Sequence, residues 1–220
     1  EDLALEQAIA REALSLALRH ARPHFPRSLP RREGRLLPPF EPILVGGSVL
    51  ANAPTFGQRL LMALDALQPT GITTLILDQN ALLPLLGAAA EVTAILPVHV
   101  LESGAFVSMA TVVSPVSPAS HGMTVLSARL VHEDGTETRT DVKFGALEVL
   151  PLPAGQKARL HLLPRRRTDV GAGPGRRLSV QVVGGVLGVV IDARGRPLSL
   201  PEDPVRRREL LKKWLWTLGG

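Results

Sequence analysis

The hydrophobic rhythm of this chain changes near Pro97, and that change most limits what it can fold into. Before it, apolar residues recur at helical spacing between short β-branched runs. Leu5, Ala8, Ile9 and Leu16 share one face of a predicted helix over Leu3 to Ala21, with Glu6, Arg11, Glu12 and Arg19 outside. Pro23 and Pro26 end it. A Pro/Arg/Gly-rich connection from Pro26 to Pro42 leads to the apolar run Ile43-Leu44-Val45, which predicts a buried strand. Pro54 fits the first turn of the next helix, flanked by Asn52 or Ala53, with Phe56, Leu60, Leu61, Leu64 and Leu67 on one face and a stop at Gln68-Pro69. Thr73 to Leu77 predicts a strand closing on Asp78, and Asn80 to Leu96 a helix with Pro84 near its first turn. The order helix–strand–helix–strand–helix is an α/β pattern.

From Pro97 the period falls to two. Val98 and Val100; Val107, Met109, Thr111 and Val113; Ala158, Leu160 and Leu162; and Leu178, Val180 and Val182 alternate with polar neighbours. Glu133-Asp134-Gly135, Gly184-Gly185 and Asp192-Ala193-Arg194-Gly195 supply turn chemistry. The expectation is an α/β part over residues 1–96 and an all-β module of seven or eight short antiparallel strands over 97–201, a sandwich or barrel. A terminal helix within 202–220 then docks back, with Asp203 as cap, Pro204 at its first position and an apolar stripe through Leu210, Leu211, Trp214, Leu215 and Leu218. With aromatic residues at 3% and apolar ones at 45%, the core must come from Leu, Val, Ala and Ile. The absence of cysteine excludes disulfides and thiolate sites and, with no run long enough for a membrane helix, predicts a reducing, cytoplasmic setting.

Two short segments carry a resemblance. Val45-Gly46-Gly47-Ser48 follows the first strand, where glycines let a backbone approach a purine and ribose. Leu86-Gly87-Ala88-Ala89-Ala90 is a small-residue patch that lets helices cross closely. In this order they resemble the late nucleotide-site elements of the actin, sugar kinase and Hsp70 ATPases. Ile43 to Pro54, Leu64 to Ile72, Leu75 to Asp78, Leu82 to Ala89 and Gly184 to Leu198 are similar to the MutL family encoded beside glutamate mutase, which is unrelated to the mismatch-repair protein of that name. The resemblance implies an actin-like ATPase subdomain and a chaperone-like ATPase that reactivates or protects an adenosylcobalamin-dependent aminomutase. It implies ATP and magnesium as cofactors of the full-length protein, with Gly46, Gly47 and Ser48 as cofactor-binding residues. The family reads Gly-Ser-Gly-Gly or similar where this chain has Gly46-Gly47-Ser48-Val49, so Val49 adds a Cβ beside the ligand. The phosphate-gripping hairpins of that superfamily lie earlier in its chains, and the roughly forty residues before Gly46 hold no Asp-Gly-Gly or Gly-Thr turn. A start at Glu1 within a helix agrees with a C-terminal fragment, in which no cofactor and no catalysis are expected.

The remaining candidates weigh less. Asp78 could be a site carboxylate, though a helix cap explains it better. Gly171-Ala172-Gly173-Pro174-Gly175 could cradle an anion but precedes a strand rather than a helix. Asp192 and Arg194 read as a turn. Histidines 20, 24, 99, 121, 132 and 161 have no metal-ligand spacing, and no catalytic constellation is present. From Pro151 onward fourteen Lys and Arg stand against five Asp and Glu, led by Arg165-Arg166-Arg167 and Arg206-Arg207-Arg208. No aromatic residues interleave with these clusters, which argues against a single-strand nucleic-acid platform and leaves Arg165, Arg166 and Arg167 as a candidate partner-binding face. The contrasting reading is a non-catalytic interaction or structural module with a degenerate nucleotide turn; a hydantoinase-related hydrolase is the third.

Overall fold

The computed structural model describes residues 2–26, 29 and 36–219. Much of the Pro26–Pro42 connection therefore lies outside the described residues. The chain runs α1 (Asp2–Ala21), a 3-10 turn at Arg22–His24, β1 (Ile43–Gly46), α2 (Ser48–Asn52), α3 (Phe56–Leu67), β2 (Gly71–Asp78), α4 (Leu82–Ala90) and α5 (Ile95–Glu102). It continues through β3 (Val107–Ser114), β4 (Thr124–His132), β5 (Glu137–Lys143), β6 (Leu147–Leu150), β7 (Lys157–Pro164), β8 (Leu178–Val183) and β9 (Val189–Asp192) to α6 (Pro204–Thr217). The fold is mixed α/β with two sheets and a C-terminal helix.

The sheets do not divide where the change of rhythm suggests. One has five strands in the order β1-β2-β3-β9-β6, so strands from both sides of residue 96 share it. β1 and β2 are parallel, β2 and β3 antiparallel, β3 and β9 parallel, and β9 and β6 antiparallel. The other is antiparallel, in the order β5-β4-β7-β8. Burial gives the reason for the shared sheet. Val112 and Val190 pack with Leu60, Leu64 and Trp214 on the helical side, while Val113, Val189 and Ile191 pack with Leu126, Leu130 and Leu160 of the second sheet. A strand covered on both faces reads as an unbroken apolar run, such as Val189-Val190-Ile191, rather than as an alternation. The result is three layers: helices, the five-stranded sheet, and the four-stranded sheet. The two sheets face each other as a sandwich rather than closing into a barrel.

Other local expectations are corrected. Val98 and Val100, read as strand, lie on α5, where Pro97 occupies the first turn and its missing N–H is not needed. Among the described residues no helix crosses closely at Gly87 of the Leu86–Ala90 patch, where a Cβ would meet nothing within 4 Å. Helix α3 starts after Pro54, not at it, because Thr55 is the cap and its hydroxyl accepts from the Gln58 N–H at 3.2 Å.

Helix α6 begins as its sequence predicts, with the Asp203 carboxylate accepting from the Val205 N–H at 3.0 Å. Its stripe reaches the core through Trp214 and Leu218. The contact is close at Gly57, where a Cβ would stand 2.6 Å from the Leu218 carbonyl oxygen. Glycine there lets α3 pass beneath the end of α6.

Candidate functional site: the cleft after β1

Strands β1 and β2 run parallel and end side by side, with Gly46 opposite Asp78. In open α/β sheets the carboxyl ends of such strands are where ligands settle. The chain leaves β1 through Gly47, whose φ of 115° and ψ of 148° suit only glycine. Ser48 then opens α2, a short helix closed by the Ala51 N–H bonding to the Gly47 carbonyl at 2.9 Å. Across from this turn, α1 presents Ile9, Ala10, Ala13 and Ala17. The small side chains of Ala10, Ala13 and Ala17 leave space unfilled, and a cleft of about 510 Å³ lies between α1 and residues Gly46 to Leu50. Gly47 and Ser48 are exposed to it, so the structure brings the predicted residues Gly46, Gly47 and Ser48 together on one wall. Val49 lines the same cleft while packing against the core below.

Asp78 is turned away from this cleft's chemistry. Its carboxylate accepts from the Asn80, Leu82 and Leu83 N–H groups at 3.3, 3.0 and 2.8 Å. Burial pushes its pKa up, but the bonds from Leu83, Leu82 and Asn80 outweigh it and hold the carboxyl below its ordinary value. It is the cap of α4, reached across the left-handed Ala81 (φ 53°).

The glycine loop after β7 is occupied by its own chain: the Asp169 carboxylate accepts from Gly171 and Gly173 N–H at 2.7 and 2.9 Å, so these amides are not presented to an outside anion. The arginine triplet is exposed at the end of β7. Arg166 and Arg167 adopt left-handed backbone (φ 53° and 59°) in an exposed turn, whereas Arg165 folds back to donate to the Ser127 hydroxyl at 3.2 Å. Among the described residues no group of three His, Cys, Asp or Glu could hold a metal, and no helix is long and apolar enough to cross a membrane.

The most connected charged residues were read as a mere turn in the sequence. Among the described residues no strand follows β9, so Asp192 to Gly195 does not join two strands. Instead Asp192, at 0% exposure, receives Arg194 Nε and Nη2 at 2.8 and 2.9 Å and Arg196 Nη2 at 2.6 Å. Arg194 Nη1 continues to Asp65 of α3 at 2.7 Å, and Asp65 to Arg11 of α1 at 3.2 Å. Arg196 also donates to the Pro69 carbonyl at 2.9 Å and the Ser114 hydroxyl at 3.3 Å. The guanidinium of Arg194 lies 4.9 Å over the Trp214 ring, whose Nε1 donates to the Gly145 carbonyl at 3.1 Å. Two segments far apart in sequence, around Asp65 and around Arg194, thus form one joint among α1, α3, β9 and α6. A hint lay in the sequence: Asp192, Arg194 and Arg196 alternate directly after an apolar strand.

Residues 1–104 match the family described as MutL protein. The matched span ends just past α5 and includes both walls of the cleft. No curated protein and no solved structure matches the chain.

Proposed function

We propose that the cleft after β1 is the base-and-ribose side of a nucleotide site in an actin/Hsp70-type ATPase, one that reactivates or protects an adenosylcobalamin-dependent aminomutase. The observation that carries this reading is Gly47. A residue that only glycine satisfies sits at the carboxyl end of a parallel strand and faces an open cleft within the MutL-matched span. An adenosine could lie against the Gly46–Gly47 backbone, with Ser48 Oγ available to a ribose hydroxyl and Ile9 against the base. ATP and magnesium belong to a site completed by phosphate-gripping hairpins, which supply most of the electrostatic stabilisation of a transferred phosphoryl group.

The chain by itself should therefore bind ATP with magnesium only in the millimolar range, about −4 kcal/mol, and hydrolyse none of it. Calorimetry measures the first and phosphate release the second. Adenosine should bind about as weakly as ATP and shift the amide resonances of Gly46, Gly47 and Ser48. Micromolar ATP binding would place the phosphate grip inside this chain, and adenosine shifts elsewhere would move the site. Val49 favours a second reading. Its side chain narrows the cleft where the family carries a glycine, as a non-catalytic interaction module with a degenerate turn would. Absence of any adenosine shift decides for that module.

A further inference from the structure

We propose that the outer face of the four-stranded sheet is a docking groove for an acidic polypeptide segment. The observation is a cross-strand row of basic residue types. Arg129 of β4 stands directly opposite Arg139 of β5 on one side and His161 of β7 on the other. Like charges directly opposed across strands, as Arg129 and Arg139 are, destabilise a sheet unless a carboxylate stands between them. Glu137, which receives Arg129 Nη1 at 3.1 Å and Arg139 Nη2 at 2.6 Å, and Asp141, which lines the groove and accepts from the Ser127 hydroxyl, offset these two arginines and leave Arg165 and Arg177 in excess. Arg177 stands at the groove's margin before β8, and Arg165 reaches its floor through Ser127. Neither Arg165 nor Arg177 pairs with a carboxylate among the described residues. The space so framed measures about 800 Å³.

The chemistry of the lining selects the occupant. Guanidinium forks match planar carboxylates two bonds at a time. Thr140 and Ser179 add hydroxyls for a peptide backbone, and Leu163, 37% exposed, offers one apolar contact. No Phe or Trp lines the groove, so it lacks the stacking surface on which nucleic-acid bases are held. Charge complementarity thus points to a carboxylate-rich stretch of a protein partner. Only Arg165 of the arginine triplet takes part. The proposal does not depend on the nucleotide reading, since the groove lies on the sheet layer remote from α1 and β1.

The probe is a fluorescently labelled poly-glutamate peptide titrated with the whole chain. Saturable binding that weakens with added salt is expected. The double substitution Arg139→Glu with Arg177→Glu should weaken it roughly tenfold or more. Arg206→Glu with Arg208→Glu, an equal charge change on exposed positions of α6, should alter it by less than about twofold. Absence of saturable binding overturns the proposal. So does equal weakening by the two pairs, which would mean attraction to net charge alone. Tighter binding of an oligonucleotide of equal length, lost in the same groove variant, would assign the groove to nucleic acid and also overturn it. Thermal unfolding checks that each variant is folded. Should the double variant fail to fold, Arg177→Ala alone, with no carboxylate partner among the described residues to lose, must still weaken the peptide.

Discussion

Asp192→Asn is expected to cost about 3–5 kcal/mol of stability, a large share of the roughly 5–15 kcal/mol that holds a domain together. Asparagine keeps the shape of the side chain and removes its charge. Two guanidiniums, of Arg194 and Arg196, would then remain in the interior, Arg196 with only carbonyl and hydroxyl acceptors. Removing one partner of a buried pair is far worse than never having had it, because the other charge cannot return to water. Asp65→Asn should cost less, about 1–2 kcal/mol. Arg194 keeps both its bonds to Asp192, and Asp65 has 11% of its side chain exposed. Urea midpoints of the two variants test the order. Equal or reversed losses would mean that the network is not centred on Asp192.

The same network sets a direction with pH. Burial alone would push the Asp192 carboxyl up; the charges of Arg194 and then Arg196, with their hydrogen bonds, outweigh it and hold its pKa far below the ordinary carboxylate range. The unfolded chain returns it to about 3.9. Above that pH the stabilisation is fully present, and it is lost as pH falls toward the folded value. Asp78 has the same sign. The urea midpoint of the unaltered chain should therefore fall below about pH 4, and that of Asp192→Asn should fall less steeply over the same window.

What the sequence made legible was local. The span of α1, the strand ending on Asp78, the Asp203 cap and the Gly47 turn each depend on residues within a few positions of one another. What it hid depends on distant partners. The alternation of Leu160 and Leu162 marks a strand with one wet face, and it was readable. Met109 to Val113 and Val189 to Ile191 also belong to strands, but their membership in the sheet of β1 and β2 follows from being covered on both sides. Val98 and Val100 imitate a strand because valines two apart look alike on a short helix with little burial. The ionic joint could not be read from spacing, since Asp65 and Arg194 meet only once α3 lies over β9. The cleft fared likewise: its wall from Gly46 to Ser48 was visible as a turn, but the opposite wall, the alanines of α1, carried no signature.

Trp214→Ala should be the most damaging change in α6, at about 3–5 kcal/mol. The indole is 3% exposed in a helix whose other tryptophan, Trp216, is 82% exposed, so the two form an internal comparison on one element. Trp214 packs into the core that includes Leu60 and Leu64 of α3, covers the Arg194 guanidinium and bonds to the Gly145 carbonyl. Alanine would leave a cavity, strip the apolar cover from a buried charge and orphan the carbonyl. Because the indole shields the ion network, its loss should also couple to Asp192. The double variant should lose less than the sum of the two single losses, as expected when two residues share partners. Trp216→Ala should change stability by no more than about 0.5 kcal/mol. Removal of α6 as a whole should expose the apolar side of α3 and lead to aggregation rather than a smaller folded protein. A soluble chain that unfolds cooperatively after that deletion, or a Trp214→Ala midpoint no lower than that of Trp216→Ala, would mean that α6 rests on the body without sealing it.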